Sequence, residues 1–512
     1  MNIYNKYNYS VIAGVVSTFA LPPFNISILI LIGMPALYYL LTSLDHRSYK
    51  KSFVLGLYFA VGMLAPHLYW IANSAITKIS IWWWSIPFTI LCPSLLMGSQ
   101  FALASMVFNI MPTRKNTILS IILFSSLMTL AQYSYSHWIF NGFPWGILGY
   151  TWIKNPEVVQ IISVIGIYIL TLLTFIYSLL IVLAISDAKN IKNLIFIIVS
   201  ILIFIANYYY GYNILKNNPT KYNKNFKVHL IQVNNKIEDR NISFEKAKED
   251  LQNYINTSLL IDDDKSDVDH ILIWPESAYP FILNNNINKL PMVDGLNNHY
   301  LITGVNRKSI YGEKYYNSAF IFDKNLQLMD FYDKKHLVPF GEYFPLDILL
   351  SSITSLINLT PGSNKQQEVF AMKGSKISKF IMQICYEIVF PNEIKNTNSE
   401  GKWIINITND AWFGDTIGPY QHLLMVTSRA IEEGLPIVRS VNGGISAIID
   451  SYGRIIDYIP LNKNGFISSY VPLPTKNKTI YSKYSKYIDI YTVILPIILI
   501  IYILTIYNKK YI

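Results

Sequence analysis

The sequence predicts a polytopic α-helical membrane bundle of about eight spans, joined to one α/β domain. Three observations predict it. Hydrophobic residues make up 52% of the 512 residues and charged residues only 14%, where soluble domains carry about 25% charged. The apolar residues gather at the two ends of the chain. Between them, from about Lys216 to Lys486, the composition is that of a soluble domain, with strand-like apolar runs alternating with helical stretches. A mean hydropathy of +0.30 excludes a disordered chain and argues against a wholly soluble one. Two cysteines exclude a disulfide scaffold and any multi-cysteine zinc or iron–sulfur site.

A helix needs about 20 apolar residues to cross a bilayer. Residues 7–44 contain no Asp, Glu, Lys or Arg, and Leu21-Pro22-Pro23-Phe24-Asn25 breaks them into two short crossings. Further charge-free runs cover 52–77, 79–113, 116–153, 158–186 and 194–215. The run 116–153 exceeds one helix, so a span near 117–136 is followed by a re-entrant or surface loop. The expected spans are 8–22, 25–42, 53–73, 84–110, 117–136, 158–184, 193–210 and 490–507. The start reads as a retained span rather than a signal peptide, because only Lys6 precedes it and no small-residue cleavage site follows. Trp82, Trp83 and Trp84 read as an interfacial anchor. His67 and Cys92 fall within spans and take no role.

The net charge of +10 invites a nucleic-acid reading until it is located. With the N-terminus inside, Lys6, Arg47, Lys50, Lys51, Arg114, Lys115, Lys189, Lys192, Lys509 and Lys510 are cytoplasmic, and the short outer loops hold Lys78 and Lys154. Ten against two matches the positive-inside tendency. Much of the charge is therefore topological, and nucleic acid is not an expected partner. The expected organisation is a membrane bundle at 1–210 with seven spans, an outward-facing domain at 211–486, and a last span with a cytoplasmic tail at 487–512.

Within that domain, strands are expected at Phe226–Val233, His270–Trp274, Tyr300–Thr303, Asn317–Phe322, Lys379–Cys385, Trp403–Thr408, Pro436–Ser440 and Ala447–Asp450. Helices are expected at Ser243–Leu260 and Gln421–Glu433. Three residues stand where chemistry could occur. Cys385, the domain's one cysteine, ends an apolar strand next to a turn, where backbone N–H groups can hold an oxyanion. Glu276 follows the apolar run Ile271–Trp274 and could serve as a general base. Lys334 could place an ammonium beside a developing oxyanion. Each also has a plainer reading: a small buried thiol, a surface or capping carboxylate, one of a solvated lysine pair. No metal-ligand spacing, P-loop or dinucleotide fingerprint is present.

The ordered set Trp274-Pro275-Glu276, the stretch from Tyr332 through His336 to Glu342, and Cys385-Tyr386-Glu387 resembles the nitrilase (carbon–nitrogen hydrolase) superfamily. That resemblance implies an αββα sandwich and a Glu–Lys–Cys triad. It is closer still to the apolipoprotein N-acyltransferase family, whose hallmark stretches are similar to Asn406–Asp415, Gly418–His422 and Arg439–Gly444, and whose membrane part carries a loop like Gly142–Trp145 with Gly149 and Tyr150 after it. Carried over position by position, the base falls on Glu276, the lysine on Lys334 and the nucleophile on Cys385. Lys334 rather than Lys335 is the match, because it stands two residues before His336. Glu342, Tyr386 and Glu387 fall on supporting positions. The family often has a Trp about nine residues after the first-strand Gln, and counting from Gln232 reaches Asn241, so the resemblance does not extend to that one aromatic substrate contact.

The resemblance implies a multi-pass enzyme of a bacterial inner membrane with a periplasmic catalytic domain. It implies a phospholipid donor, a Cys385 thioester and the N-terminal amine of a diacylglyceryl-cysteine lipoprotein as acceptor, with no cofactor and no metal. Two alternatives are a membrane-tethered nitrilase-type amidase using water, and a transporter with an accessory domain; the latter calls for charges inside the spans, and the expected spans carry none. His336 and His422 read as hydrogen-bonding core residues. Trp412 and Phe413 either line an acyl pocket or pack. Leu346, Leu349, Leu350, Ile353, Leu356 and Ile357 recur at helical spacing, with Asp347 the one charge between Leu346 and Pro361. This stripe reads as a lid dipping into the bilayer surface, with Leu349 and Ile353 touching lipid, or else as core.

Overall fold

The computed structural model describes residues 2–76, 83–113, 116–186, 190–235, 243–261, 268–284, 286–293, 295–296, 298–310, 312, 314–343, 359–364, 366–394 and 400–509. The chain forms two units, Met1–Asn218 with Ile480–Ile512, and Pro219–Thr479.

In the first unit, helices occupy every segment expected to span: Ile3–Thr18, Ile30–Thr42, Tyr49–His67, Ile86–Ile110, Thr117–His137, Ile162–Ser186, Ile191–Asn217 and Ile480–Lys509. Among the described residues, five stretches are long and apolar enough to cross a membrane: Trp83–Ile110, Thr117–His137, Ile162–Ser186, Ile191–Asn217 and Ile480–Ile506. Ser27–Thr42 is apolar but shorter. The chain is thus a multi-pass membrane protein. With little hydrophobic drive between helices in lipid, close packing needs small residues at the contacts. A Cβ on Gly14 would lie 2.1 Å from the Phe59 carbonyl oxygen, so the helices Ile3–Thr18 and Tyr49–His67 meet backbone to backbone there. The segment after Thr117–His137 folds back into this unit rather than lying on its surface, and buries Trp145, Leu148 and Tyr150.

One expectation fails. The last helix begins at Ile480 rather than 490 and so encloses Asp489, which is buried and accepts a hydrogen bond from the Tyr481 hydroxyl at 2.8 Å. The apolar run alone hid this acid, because the helix starts in the polar Lys/Tyr segment ahead of it.

The second unit contains two sheets. The first contains β1 (Tyr222–Gln232), β2 (Asp269–Ile273), β3 (Tyr279–Leu283), β4 (Tyr300–Lys308), β5 (Tyr315–Phe322), β6 (Leu328–Asp333) and β13 (Gly465–Pro472). Its order is β13-β1-β2-β4-β5-β6, with β3 also on β4. The second contains β7 (Val369–Phe370), β8 (Phe380–Ile384), β9 (Trp403–Asn409), β10 (Ile437–Asn442), β11 (Ser446–Ile449) and β12 (Ile455–Ile459), in the order β12-β11-β10-β9-β8-β7. At the centre of each, β1, β2 and β4, and β8, β9 and β10, run parallel.

Alternation along the strands builds the layers. Phe226, Val228 and Leu230 of β1 join Ile271 and Ile273 of β2 in one core with Met382, Ile384, Ile405, Ile407 and Val438 of the other sheet. Ile231, Leu272 and Trp274 point to the opposite face, where Leu251, Tyr254 and Ile255 of the helix Phe244–Leu259 cover them. The helix Gly418–Glu433 covers the second sheet, and its His422 lies 3.1 Å from Arg439 of β10. Helix, sheet, sheet and helix give the αββα sandwich. Strands β3, β6, β7, β12 and β13 were not expected from sequence. In β6, Asp330 and Asp333 mask the strand pattern, and Asp333 is tolerated because Arg307 of β4 grips it with two bonds of 2.9 and 2.7 Å.

Candidate active site

Glu276 follows β2, Lys334 follows β6 and Cys385 follows β8. Carboxyl ends of parallel strands are where α/β folds place sites, and here two such ends, joined by the end of β6, bring residues far apart in sequence together. Lys334 Nζ lies 3.3 Å from Glu276 Oε1 and 2.9 Å from Glu342 Oε2. Lys334 is only 1% exposed and Glu276 6%.

An ammonium between two carboxylates leaves one net negative charge, which would be costly in a dry site. Neutral donors offset it. Asn317 Nδ2 donates to Glu276 Oε1 at 2.6 Å and to Glu342 Oε1 at 2.8 Å. The Asn409 N–H donates to Glu276 Oε2 at 2.7 Å, and the Val338 N–H to Glu342 Oε2 at 2.7 Å. Burial works against the Lys334 ammonium, but Glu276 and then Glu342 outweigh it and hold its pKa well above the usual lysine range. The lysine is therefore an ammonium near pH 7.

The Glu276 turn is packed tightly. A Cβ on Gly304 of β4 would fall 2.3 Å from the Ser277 nitrogen and 2.5 Å from Glu276 Cα, so only glycine permits this approach.

Cys385 has φ of 51°, a left-handed conformation that side chains rarely adopt. It opens the single-turn 3-10 helix Cys385–Val389 directly after β8, so the chain turns sharply at the thiol. Such strain persists only when surroundings enforce it, and Glu387 supplies the enforcement. Its Oε2 accepts from the Ile384 N–H at 2.7 Å, while Oε1 accepts from the Lys335 N–H at 2.7 Å and the Tyr332 hydroxyl at 2.8 Å. One carboxylate thereby ties the thiol's turn to the segment bearing Lys334. Burial raises the Glu387 pKa, against the pull of those N–H donors. Tyr386 is buried and sets its ring edge-on to Phe390 at 4.9 Å, behind the turn.

Burial first, and then the Glu276 charge, push the Cys385 thiol well above its ordinary pKa, and Lys334 offsets this in part. The resting thiol is therefore neutral and needs a base to become a nucleophile.

A buried network stands behind these residues. Asp410 Oδ1 lies 2.8 Å from His422 Nδ1, and Asp410 Oδ2 accepts from Arg439 Nη2 at 2.7 Å. Arg439 also donates to Asn406 Oδ1 at 2.5 Å, and Asn406 Nδ2 reaches the Gln383 carbonyl at 3.3 Å, just ahead of the thiol. Despite burial, the contacts with His422 and with the Arg439 guanidinium hold the Asp410 carboxyl below its usual range. Burial, then Arg439, lower the His422 pKa, so it is neutral near pH 7. His336 stacks on Phe390 at 3.9 Å and contacts Glu393 at 2.9 Å. Both histidines sit in packing and hydrogen bonds, as read from sequence.

Lys335 points elsewhere: its Nζ pairs with Glu368, so it is a buried partner rather than a solvated lysine. Trp412 is exposed, while Phe413 packs edge-on against His422 at 5.8 Å. Leu349, Ile353 and the rest of the 346–357 stripe, together with Trp82 and Asn241, lie outside the described residues. Among the described residues, no group of three or more His, Cys, Asp or Glu is arranged to hold a metal. A cavity of about 520 Å³ borders Asp333, Tyr316 and Gln366, and its lining includes none of Glu276, Lys334 or Cys385.

Sequence reasoning missed Asn317 and the Asn409 N–H. Asn317 opens an apolar strand and looks like an ordinary terminal polar residue, and a backbone donor leaves no sequence signal. Because one amide serves two like-charged carboxylates, Asn317→Ala is expected to slow acylation of Cys385 about 10- to 100-fold with the fold intact, from hydrogen bonds to charged groups worth roughly 1.5–3 kcal/mol. Single-turnover kinetics read this, and a change under about twofold would mean that the lysine and the two backbone donors hold the carboxylates without the amide.

A family model described as the apolipoprotein N-acyltransferase N-terminal domain matches residues 13–180, and one described as carbon-nitrogen hydrolase matches residues 271–481. The apolipoprotein N-acyltransferase of Rhodopseudomonas palustris is 30% identical over 497 residues, covering 93% of this chain and 90% of that one. That of Rickettsia typhi is 32% identical over 475 residues, covering 89% and 90%. Among solved structures, Saccharomyces cerevisiae Nit3, a member of branch 10 of the nitrilase superfamily, matches with a TM-score of 0.35 at 18% identity, over 51% of this chain and 93% of that one. With two relatives matched along nearly their whole length and both parts of the chain matched by family models, the chain belongs to the apolipoprotein N-acyltransferase family.

Proposed function

We propose that Cys385 takes an acyl chain from a phospholipid as a thioester and passes it to the N-terminal amine of a diacylglyceryl-cysteine lipoprotein. The observation that carries this reading is the Glu276–Lys334–Glu342 set, with Glu276 and Lys334 buried, beside a thiol on a left-handed turn, in a chain whose other unit has membrane-length helices. Glu276 takes the thiol proton and sulfur attacks the ester carbonyl. Lys334 and backbone N–H groups stabilise the oxyanion. Collapse expels the lysophospholipid, which receives the proton from Glu276. The acceptor amine then attacks the thioester, Glu276 removes its proton, and the thiol is restored. No step needs a cofactor. Glu342, Tyr386 and Glu387 position the three, and Trp412 and Phe413 are proposed to line the acyl path.

The bias of Lys and Arg among short loops supports a bacterial inner-membrane protein with residues 211–486 on the periplasmic side. Both substrates are amphipathic, and a membrane anchor reduces their search to two dimensions.

One site serving donor and acceptor in turn predicts ping-pong kinetics. Initial rates over a grid of both concentrations should give parallel reciprocal plots, and mass spectrometry should find the acyl chain on the lipopeptide amine. Intersecting plots would exclude a covalent relay. Release of free fatty acid with an unmodified amine would assign the chain to the hydrolytic, amidase-like reading.

A further inference from the structure

Two helix ends lead into and out of the Pro219–Thr479 unit, and both carry the same side-chain pattern. In Ile191–Asn217 the tyrosines all fall near the end: Tyr208, Tyr209, Tyr210 and Tyr212. Tyr208, Tyr209 and Tyr212 are exposed, and Lys216 Nζ sits over the Tyr212 ring at 5.6 Å. In Ile480–Lys509 the opening turns expose Tyr484, Tyr487 and Tyr491, and Lys483 Nζ sits over the Tyr484 ring at 5.0 Å. Lys486 is exposed beside Tyr487.

Acids are sparse around both ends: no Asp or Glu lies between Asp187 and Glu238 or between Asp457 and Asp489, and Asp489, three residues after Lys486, is buried and accepts from the Tyr481 hydroxyl. Beyond each patch the helix turns apolar and outward-facing, with Ile201, Leu202 and Ile203 on one and Ile497, Ile498 and Ile501 on the other exposed. Exposed aliphatic surface belongs in the acyl region, and tyrosines at its end belong at headgroup level. A lysine there extends its ammonium toward the phosphate plane while its stem stays on apolar surface. A ring face satisfies only one side of an ammonium, leaving N–H donors directed away from the helix.

We propose that Lys216, Lys483 and Lys486, with the tyrosines beside them, form a headgroup-level collar on these two helix ends that binds the phosphates of anionic phospholipids. The collar deepens the proposed function by holding phospholipid at the headgroup level of the helical unit. It rests on the membrane placement alone, not on which lipid donates.

Full-length Cys385→Ser protein, which should transfer no acyl chain, separates the two ideas. Purified with mixed phosphatidylglycerol and phosphatidylcholine, it should retain phosphatidylglycerol preferentially when bound lipids are counted by native mass spectrometry. Adding Lys216→Gln, Lys483→Gln and Lys486→Gln should cut that preference at least tenfold, since each lysine near a charged surface contributes about fivefold. The matching Lys→Arg triple should keep it. Equal retention by the Gln triple and its parent would overturn the proposal, as would loss in the Arg triple. Wild-type failure to acylate Cys385 would count against the proposed reaction and leave this result standing.

Discussion

Cys385→Ser is expected to abolish acyl transfer, with the rate falling by at least about a thousandfold while the protein stays folded in the membrane. A hydroxyl is far less acidic than a thiol. Glu276 faces a thiol already raised by burial and by its own charge, so a serine in the same place is beyond its reach as a base. The substitution is nearly isosteric, and the hydrogen bonds that hold the turn come from Glu387, not from the thiol. Circular dichroism and thermal unfolding should therefore barely change. Near-normal lipoprotein N-acylation by this variant in membranes would remove Cys385 as nucleophile.

Lys334→Ala should have the next largest effect. Loss of a fixed charge facing the oxyanion resembles loss of an oxyanion-hole donor, about 3–4 kcal/mol or a rate loss of 10²–10³. It also leaves buried Glu276 and partly buried Glu342 as like charges that share only the Asn317 amide, so some stability should be lost as well. Lys335→Ala is the control. Its side chain meets Glu368, and its contribution to the site is a backbone N–H to Glu387 that alanine retains. That variant should unfold more readily, yet acylate within a few-fold of wild type once folded. If folded Lys335→Ala were dead and Lys334→Ala active, the roles given to the two lysines would be reversed.

How much could be read in advance differed from element to element. Charge-free runs located the membrane helices because a bilayer filters composition directly. The last helix was placed too late because its first turns are polar and enclose one acid, Asp489, whose Oδ2 accepts from Tyr481. Strands β2, β8, β9 and β10 were legible since nearly every residue in them is buried and short apolar runs such as Ile271–Ile273, Phe380–Met382 and Trp403–Ile405 mark them. By contrast, β6 and β13 lie at sheet edges with mixed exposure, and of the two acids in β6 the buried one, Asp333, is paired with Arg307 from elsewhere in the chain. At the site, Glu276 and Cys385 stood out because each follows an apolar strand, and Lys334 because of its place in the motif that runs to His336 and Glu342. Asn317 and the Asn409 N–H did not, because what makes them matter is a distance across the fold. The left-handed turn at Cys385 was equally hidden, for no glycine marks it.

The central claim is that Glu276, Lys334 and Cys385 carry out one covalent transfer. Its most direct test is the intact mass and peptide map of the purified protein after incubation with phospholipid and no acceptor. The account predicts one acyl mass added at Cys385, stable until a lipopeptide amine is supplied, then lost as the lipopeptide gains the same mass. Glu276→Gln should show no adduct, because the thiol proton has nowhere to go. An adduct at another residue, or acylated lipopeptide formed by Cys385→Ser, would contradict the account.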